Sequence, residues 1–273
     1  MGLGAIFRRM DRSPRFRPLA ALGAAVLVAG ACSHRVAPDE SAVGEPHAVH
    51  WAYKGAGGPD HWASLDAANA ACADSKKQSP IDIKHASSVN VENIEFHYGP
   101  SKLNIINNGH TVQVNYDPGS WIEIAGVRYD LIQFHFHMPS EHEINGKHKD
   151  GELHLVHRSA DGHFAVVGVI LERGDENPAF ATVWANLPSL PGPERHLDAQ
   201  TNAANFLPKG RMTWRYEGSL TTPPCTEGVA WSVMVDPVYM SSGQFVDFMH
   251  IIGDNSRPVE PLGDRPLIED MSP

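Results

Sequence analysis

Between residues 94 and 235 the chain is cut into short alternating segments by turn-forming groups: Asn108-Gly109, Asp117-Pro118-Gly119, Asn145-Gly146 and Asp161-Gly162. Glycine and asparagine supply the positive-φ corners that hairpins need, and proline presets a turn, so this punctuation favours neighbouring antiparallel strands over helices. Strands are predicted over 94–98, 103–107, 111–116, 121–124, 128–138, 151–158, 164–172 and 229–235. Two helices are predicted, 62–73 with Ser64 as its cap and 241–250. The chain has 273 residues, 42% hydrophobic, enough for one large β-rich domain.

The segment 133–143, QFHFHMPSEHE, carries chemistry on this frame. Side chains alternate along a strand, so Gln133, His135 and His137 share one face while Phe134 and Phe136 take the other. On the segment 151–158, Glu152, His154 and Val156 share a face opposite Leu153, Leu155 and His157. If the two strands pair through the loop containing Asn145-Gly146, His154 faces His135 and His137. Three imidazoles with a fourth tetrahedral position open are the ligand set of a catalytic zinc site, not a structural one. A lone histidine among the 16 would more often be an ordinary surface or core residue, so the constellation carries the reading.

The first residues belong to targeting. Five arginines between Arg8 and Arg17 precede an apolar run, 19–31, too short to span a bilayer comfortably. The predicted organisation is a signal peptide at 1–31, a flexible leader at 32–49, and a catalytic domain at 50–273. Two cleavage readings stay open: simple cleavage after the small residues Ala29, Gly30 and Ala31, or a lipobox that leaves lipidated Cys32 as a membrane anchor. Either places the chain outside the cytoplasm, in the periplasm, and the lipoprotein is the reading carried forward. With Cys32 spent as an anchor, Cys72 and Cys225 remain to form a disulfide in an oxidising compartment, two buried thiols being the alternative. Removing the signal takes five of 22 basic and one of 32 acidic residues, which leaves a formal charge of −14. Such a surface repels nucleic acid and anionic lipid head groups, so neither is an expected direct partner.

Five motifs in order carry a family resemblance: NNGH at 107–110, QFHFHMPSEH, ELHLVH, GSLTTPP at 218–224 and NSRPVEPL at 255–262. From about Trp51 to Leu267 the chain resembles an exported bacterial alpha-class carbonic anhydrase. The resemblance implies a large, twisted, mostly antiparallel central sheet of about ten strands with short peripheral helices, a mainly β (α+β) fold. It also implies reversible hydration of CO2 to bicarbonate and a proton by a zinc-bound hydroxide, with Zn2+ held by His135, His137 and His154.

Other roles follow from the same resemblance. Thr221 would orient the hydroxide and Glu141 would orient Thr221. Gln133, Glu152 and the backbone of Asn255 would hold the ligand rings, with His142 buried beside them. His110 would relay the proton to buffer along a polar path lined by Tyr53, Asn108 and Gln113. Val156, Val166, Leu220, Val229 and Trp231 would form the apolar wall for CO2, and Thr222 would border bicarbonate. Relatives of this type imply a homodimer. Met138 and Thr111 depart from common family residues and bear on rate, not on reaction type. A cupin oxygenase would instead make Glu141 a ligand beside His135 and His137, and lacks its downstream histidine element here. A non-catalytic binding lipoprotein of the same fold would be expected to have lost zinc histidines, which this chain keeps.

Overall fold

In the computed structural model the described residues are 50–74 and 76–271, so the predicted signal peptide, the leader and Cys32 lie outside them. The short strands come first: β1 Asp82–Ile83, β2 Ser87–Val89 and β3 Glu95–His97. The sheet's centre is built from β4 Pro100–Asn107, β5 Val112–Asn115, β6 Trp121–Ile124, β7 Val127–His137, β8 Glu143–Ile144, β9 Gly151–Ser159 and β10 Phe164–Arg173. Then follow β11 Arg195–Asn202, β12 Thr213–Ser219, β13 Glu227–Met234, β14 Val238–Met240 and β15 Ile268–Asp270. The α-helices are α1 Trp62–Leu65, α2 Ala71–Asp74, α3 Ala181–Trp184 and α4 Ser242–Ile251.

Ten strands run side by side as β11-β4-β5-β7-β9-β10-β13-β12-β15-β2, and three more pair off this path. The sheet is mixed: β10–β13 and β15–β2 are parallel, while β4, β5, β7, β9 and β10 form successive antiparallel neighbours. All eight predicted strands exist with ends shifted by a few residues. Those over 195–202 and 213–219 escaped prediction because neither carries a clean apolar alternation. The 62–73 helix is corrected. Asp66 is extended at φ −151°, ψ 138°, and its carboxylate accepts the Ala68 N–H, restarting the chain as a separate turn. Ser64 lies inside α1 and donates to His61 O, so it is no cap. The second helix forms as expected, with Ser241 at its N-cap and a reciprocal capping box with Gln244.

Two apolar layers sandwich the sheet. Phe134, Phe136, Leu153, Leu155, Val167 and Val169 belong to one. Val156, Val166, Val229, Trp231 and Val233 belong to the other. With both faces covered, β9 reads as a continuous buried run. A β-bulge decides which β7 residues face which layer: Leu131 pairs with His157 and Gln133 with Val156, leaving Ile132 as the extra residue. Before it, odd-numbered Leu131 packs in the first layer; after it, even-numbered Phe134 and Phe136 do. The bulge therefore turns Gln133, His135 and His137 to the other face.

The first layer encloses one imidazole. His157 Nδ1–H donates to Ala165 O at 3.2 Å and its Nε2 lies 2.7 Å from the Tyr98 hydroxyl, which donates. Burial pushes its pKa down to about 3. The unfolded chain therefore binds a proton below about pH 6.5 that the folded chain refuses until about pH 3, so this contribution is complete above 6.5 and is lost as pH falls. His157→Gln removes that titration. Between pH 7.5 and 4.5 the wild type is expected to lose about 3 kcal/mol more stability than the variant, read from urea unfolding of the metal-free proteins.

Candidate metal centre

His135 and His154 are direct cross-strand partners on β7 and β9, and His137 sits two residues along β7. Their ligand nitrogens lie within 4.8 Å of one another. His135 is partly accessible, whereas His137 and His154 are each only 1% exposed. Burial lowers the pKa of all three, His135 well below the ordinary range and His137 to about 4. Neutral imidazoles with free lone pairs are the form a metal requires.

The outer nitrogens are engaged. His135 Nδ1–H donates to Gln133 Oε1 at 2.8 Å, and His137 Nδ1–H donates to Asn255 O at 2.8 Å. These bonds leave Nε2 of both rings as a lone pair, and that of His137 is buried with no hydrogen-bond partner. His154 Nε2 lies 3.0 Å from Glu152 Oε1, a close but off-axis ion-pair contact. A buried, unpartnered acceptor beside two further imidazoles fits a cation, since such an atom is otherwise costly. Despite its burial, Glu152 is held well below the usual carboxylate range by its contacts with His142 and His154.

Glu141 is fully buried, and burial raises its pKa to about 7 against the opposing pull of His154, the Arg257 N–H and the Thr221 hydroxyl. Its Oε1 accepts the Arg257 N–H at 3.0 Å. Oε2 has no aligned donor, so Thr221 approaches without a well-formed hydrogen bond. Glu141 Oε1 lies 3.5 Å from His137 Nδ1, the nitrogen turned toward Asn255, and Glu141 is not part of the three-nitrogen group. The cupin-like alternative fails on that geometry.

The ligands open on a cavity of about 160 Å³ lined by Gln133, His135, His154, Val156, Phe164, Val166, Leu220, Thr221, Thr222 and Trp231. Val229 is corrected: it is fully buried in the second apolar layer and is not part of the lining. Phe164, two residues before Val166 and on its face, takes a place that alternation along β10 could have identified. A larger apolar cavity of about 550 Å³ lies between Tyr216, Trp231, Ile268 and Arg215, but among the described residues no metal-ligand cluster lines it, so size does not mark the site.

His110 lies in a neighbouring cleft with Tyr53 and Asn108. Its ring stacks on Trp51 with centroids 3.6 Å apart and faces His50 at 5.1 Å, a neighbour that sequence reasoning missed. Burial, helped by His50, lowers its pKa to about 4. Asn108 Oδ1 accepts the backbone N–H of His110 and Thr111, fixing the turn. Gln113 is corrected: its side chain is absent from that cleft's lining and donates to Asn115 Oδ1 at 2.6 Å.

Cys72 and Cys225 form the expected disulfide. Arg257, also missed, ties it to the site: its guanidinium donates to Cys72 O, Ser79 O and Gln78 Oε1 while its backbone N–H holds Glu141. Nothing in side-chain spacing marks a buried arginine of this kind.

Three neutral imidazoles on a rigid sheet, with an apolar cavity on their open side, define a scaffold of the three-histidine metalloenzyme class. Residues 57–270 match the family profile described as eukaryotic-type carbonic anhydrase. A carbonic anhydrase of Nostoc sp. is 44% identical over 229 residues, covering 81% of this chain and 86% of its own. One from Klebsiella pneumoniae is 40% identical, covering 81% and 92%. The solved alpha-carbonic anhydrase of Thermovibrio ammonificans, in complex with the inhibitor sulfanilamide, superposes with a TM-score of 0.78 at 43% identity, over 80% of this chain and 98% of that one. The chain belongs to the eukaryotic-type, or alpha, carbonic anhydrase family and is an enzyme of CO2 hydration.

Proposed function

We propose that the chain hydrates CO2 reversibly at a zinc ion held by His135, His137 and His154. The observation that carries the reading is the buried, unpartnered Nε2 of His137 beside two further neutral imidazoles. A bound zinc ion supplies a water that ionises near pH 7 and is nucleophilic toward CO2. Gln133 and Asn255 fix which nitrogen of His135 and His137 carries the proton, and Glu152, 3.0 Å from His154 Nε2, is the acceptor that would do the same for His154 with the metal in place. When ionised, Glu141 would draw in the Thr221 Oγ1–H, which would leave Thr221 only lone pairs to offer the cavity. Thr221 would then accept a hydrogen bond from the attacking water and aim that water's free lone pair across the cavity. Val156, Phe164, Val166, Leu220 and Trp231 offer CO2 an apolar wall with no polar grip, and Thr222 borders the product.

His110 takes the released proton outward. Stacked on Trp51 the ring stays neutral at pH 7, so it serves as acceptor from a position turned away from that indole, where hydration restores its ordinary basicity. His110→Ala is expected to lower turnover about 10-fold or more in dilute buffer, with recovery in imidazole-type buffers. Equal activity at every buffer concentration would remove His110 from the path.

Zinc content and CO2 hydration followed by pH drop test the whole reading. Metal-loaded protein that hydrates CO2 no faster than the buffer blank sinks it. Glu141→Gln is expected to keep its zinc and to lose turnover about 10-fold or more, because the amide offers Thr221 a donor in place of an acceptor. Loss of metal from that variant would make Glu141 a ligand after all.

The Cys72–Cys225 bond supports an exported protein in an oxidising compartment. A lipid on Cys32 is part of this proposal, and the mass of the mature N-terminus separates it from simple cleavage.

A further inference from the structure

Behind His154 the polar contacts continue past Glu152, whose Oε1 lies 3.0 Å from His154 Nε2. Glu152 Oε2 accepts the backbone N–H of Glu141 at 3.0 Å and of His142 at 2.9 Å, while Oε1 lies 2.7 Å from His142 Nδ1. His142 Nε2 lies 2.7 Å from the Tyr216 hydroxyl, which lies 2.8 Å from Ser79 Oγ. Ser79 Oγ in turn accepts the Ser219 N–H at 3.1 Å. Glu152, His142 and Ser79 are fully buried and Tyr216 is 5% exposed. The path is walled at both ends: a Cβ on Gly168 would meet Glu152 Oε1 at 2.8 Å, and one on Gly218 would meet Ser79 Oγ at 2.1 Å.

Donor counting gives the path a direction. An ionised carboxylate only accepts, so His142 Nδ1 carries a hydrogen, and a neutral imidazole then offers Nε2 as a lone pair. Tyr216 must donate to it, and Ser79 donates to Tyr216. We propose that this one-way relay, from Ser219 N–H through Ser79, Tyr216 and His142 to Glu152, sets how strongly Glu152 pulls on the His154 ring hydrogen. Tyr216 and Ser79 are thereby positioning residues for the metal centre. The proposal rests on the zinc reading above.

Donors in series polarise one another, and a carboxylate already served by several donors pulls less on the next. Without the Tyr216 hydroxyl, His142 becomes a poorer donor. Glu152 then draws harder on His154, whose free nitrogen becomes more basic and holds a metal ion more tightly.

Tyr216→Phe and the gentler Ser79→Ala test this through zinc release into a chelator and the low-field proton spectrum of the ring N–H groups. Tyr216→Phe is expected to slow release about 3-fold, less than the 10- to 100-fold typical of a direct outer partner, and Ser79→Ala to slow it by less in the same direction. The His142 Nδ1–H resonance should move to higher field and the His154 Nε2–H resonance to lower field. Unchanged release and unchanged resonances with only a lower melting temperature would reduce both residues to packing. Faster release, or a His142 ring hydrogenated on both nitrogens, would overturn the assigned direction. Wild-type zinc content is measured first: its absence defeats the zinc reading, whereas the metal-free spectra still report on the relay.

Discussion

His137→Ala is expected to leave the protein without measurable zinc after dialysis against a weak chelator, and to drop CO2 hydration to the buffer rate. Loss of an outer partner commonly costs 10- to 100-fold in metal affinity, and loss of a ligand should exceed about 100-fold. His137 is the most informative of the three because its Nδ1 is tied to Asn255 and its Nε2 is buried without a protein partner. In the metal-free state that unsatisfied acceptor is a cost, so its removal offsets part of what the alanine variant loses with the Asn255 hydrogen bond and the small void, and the variant should melt only slightly below metal-free wild type. Metal-loaded wild type should melt well above both, because only the folded site binds the ion. Normal zinc content in the variant would remove the assigned ligand set.

Breaking the Cys72–Cys225 bond is the second large effect. It closes 153 residues of sequence, and chain entropy assigns such a loop about 5 kcal/mol. Cys72→Ser/Cys225→Ser should therefore unfold at markedly lower urea, and the same shift should appear in wild type under a strong reductant. The bond also lies near the chemistry. Cys225 N–H donates to Thr222 O at 2.8 Å, four residues after Thr221, and Cys72 O receives the Arg257 guanidinium, whose own backbone holds Glu141. Turnover of the fraction still folded should fall with zinc content unchanged, since the bridge is tied to Thr222 and Arg257 and not by hydrogen bond to the three ligands. A variant as stable as wild type would show that the unfolded chain gains nothing from losing the link.

The ligand trio was legible in the sequence because it obeys strand periodicity: two histidines two apart and a third on the partner strand. The disulfide was legible from parity, once Cys32 was set aside. Glu141 was visible only through resemblance, since a carboxylate held by Arg257 N–H leaves no local pattern. Asn255 acts through its backbone carbonyl, which no side-chain rule reaches. The strands β11 and β12 were missed because exposed and buried positions mix along them, and the first helix was overcalled because Asp66 competes with the helix for the Ala68 N–H. His50 meets His110, and Tyr216 meets Ser79, over separations that only the fold closes.

The extra residue Ile132 gives β7 two lives. Upstream and downstream halves of one strand follow opposite odd-even rules, so the two ligand histidines of β7 and the phenylalanines beneath them are in phase with the fold only because one residue between them and Leu131 is left out of the ladder. Were Ile132 drawn into a regular ladder, the strand would continue in one phase, with imidazoles driven into oil or phenylalanines into the cleft, whereas deleting it makes Leu131 and Gln133 neighbours and leaves the downstream residues on the faces they already hold. The centre is thus guarded by an integer as much as by its chemistry.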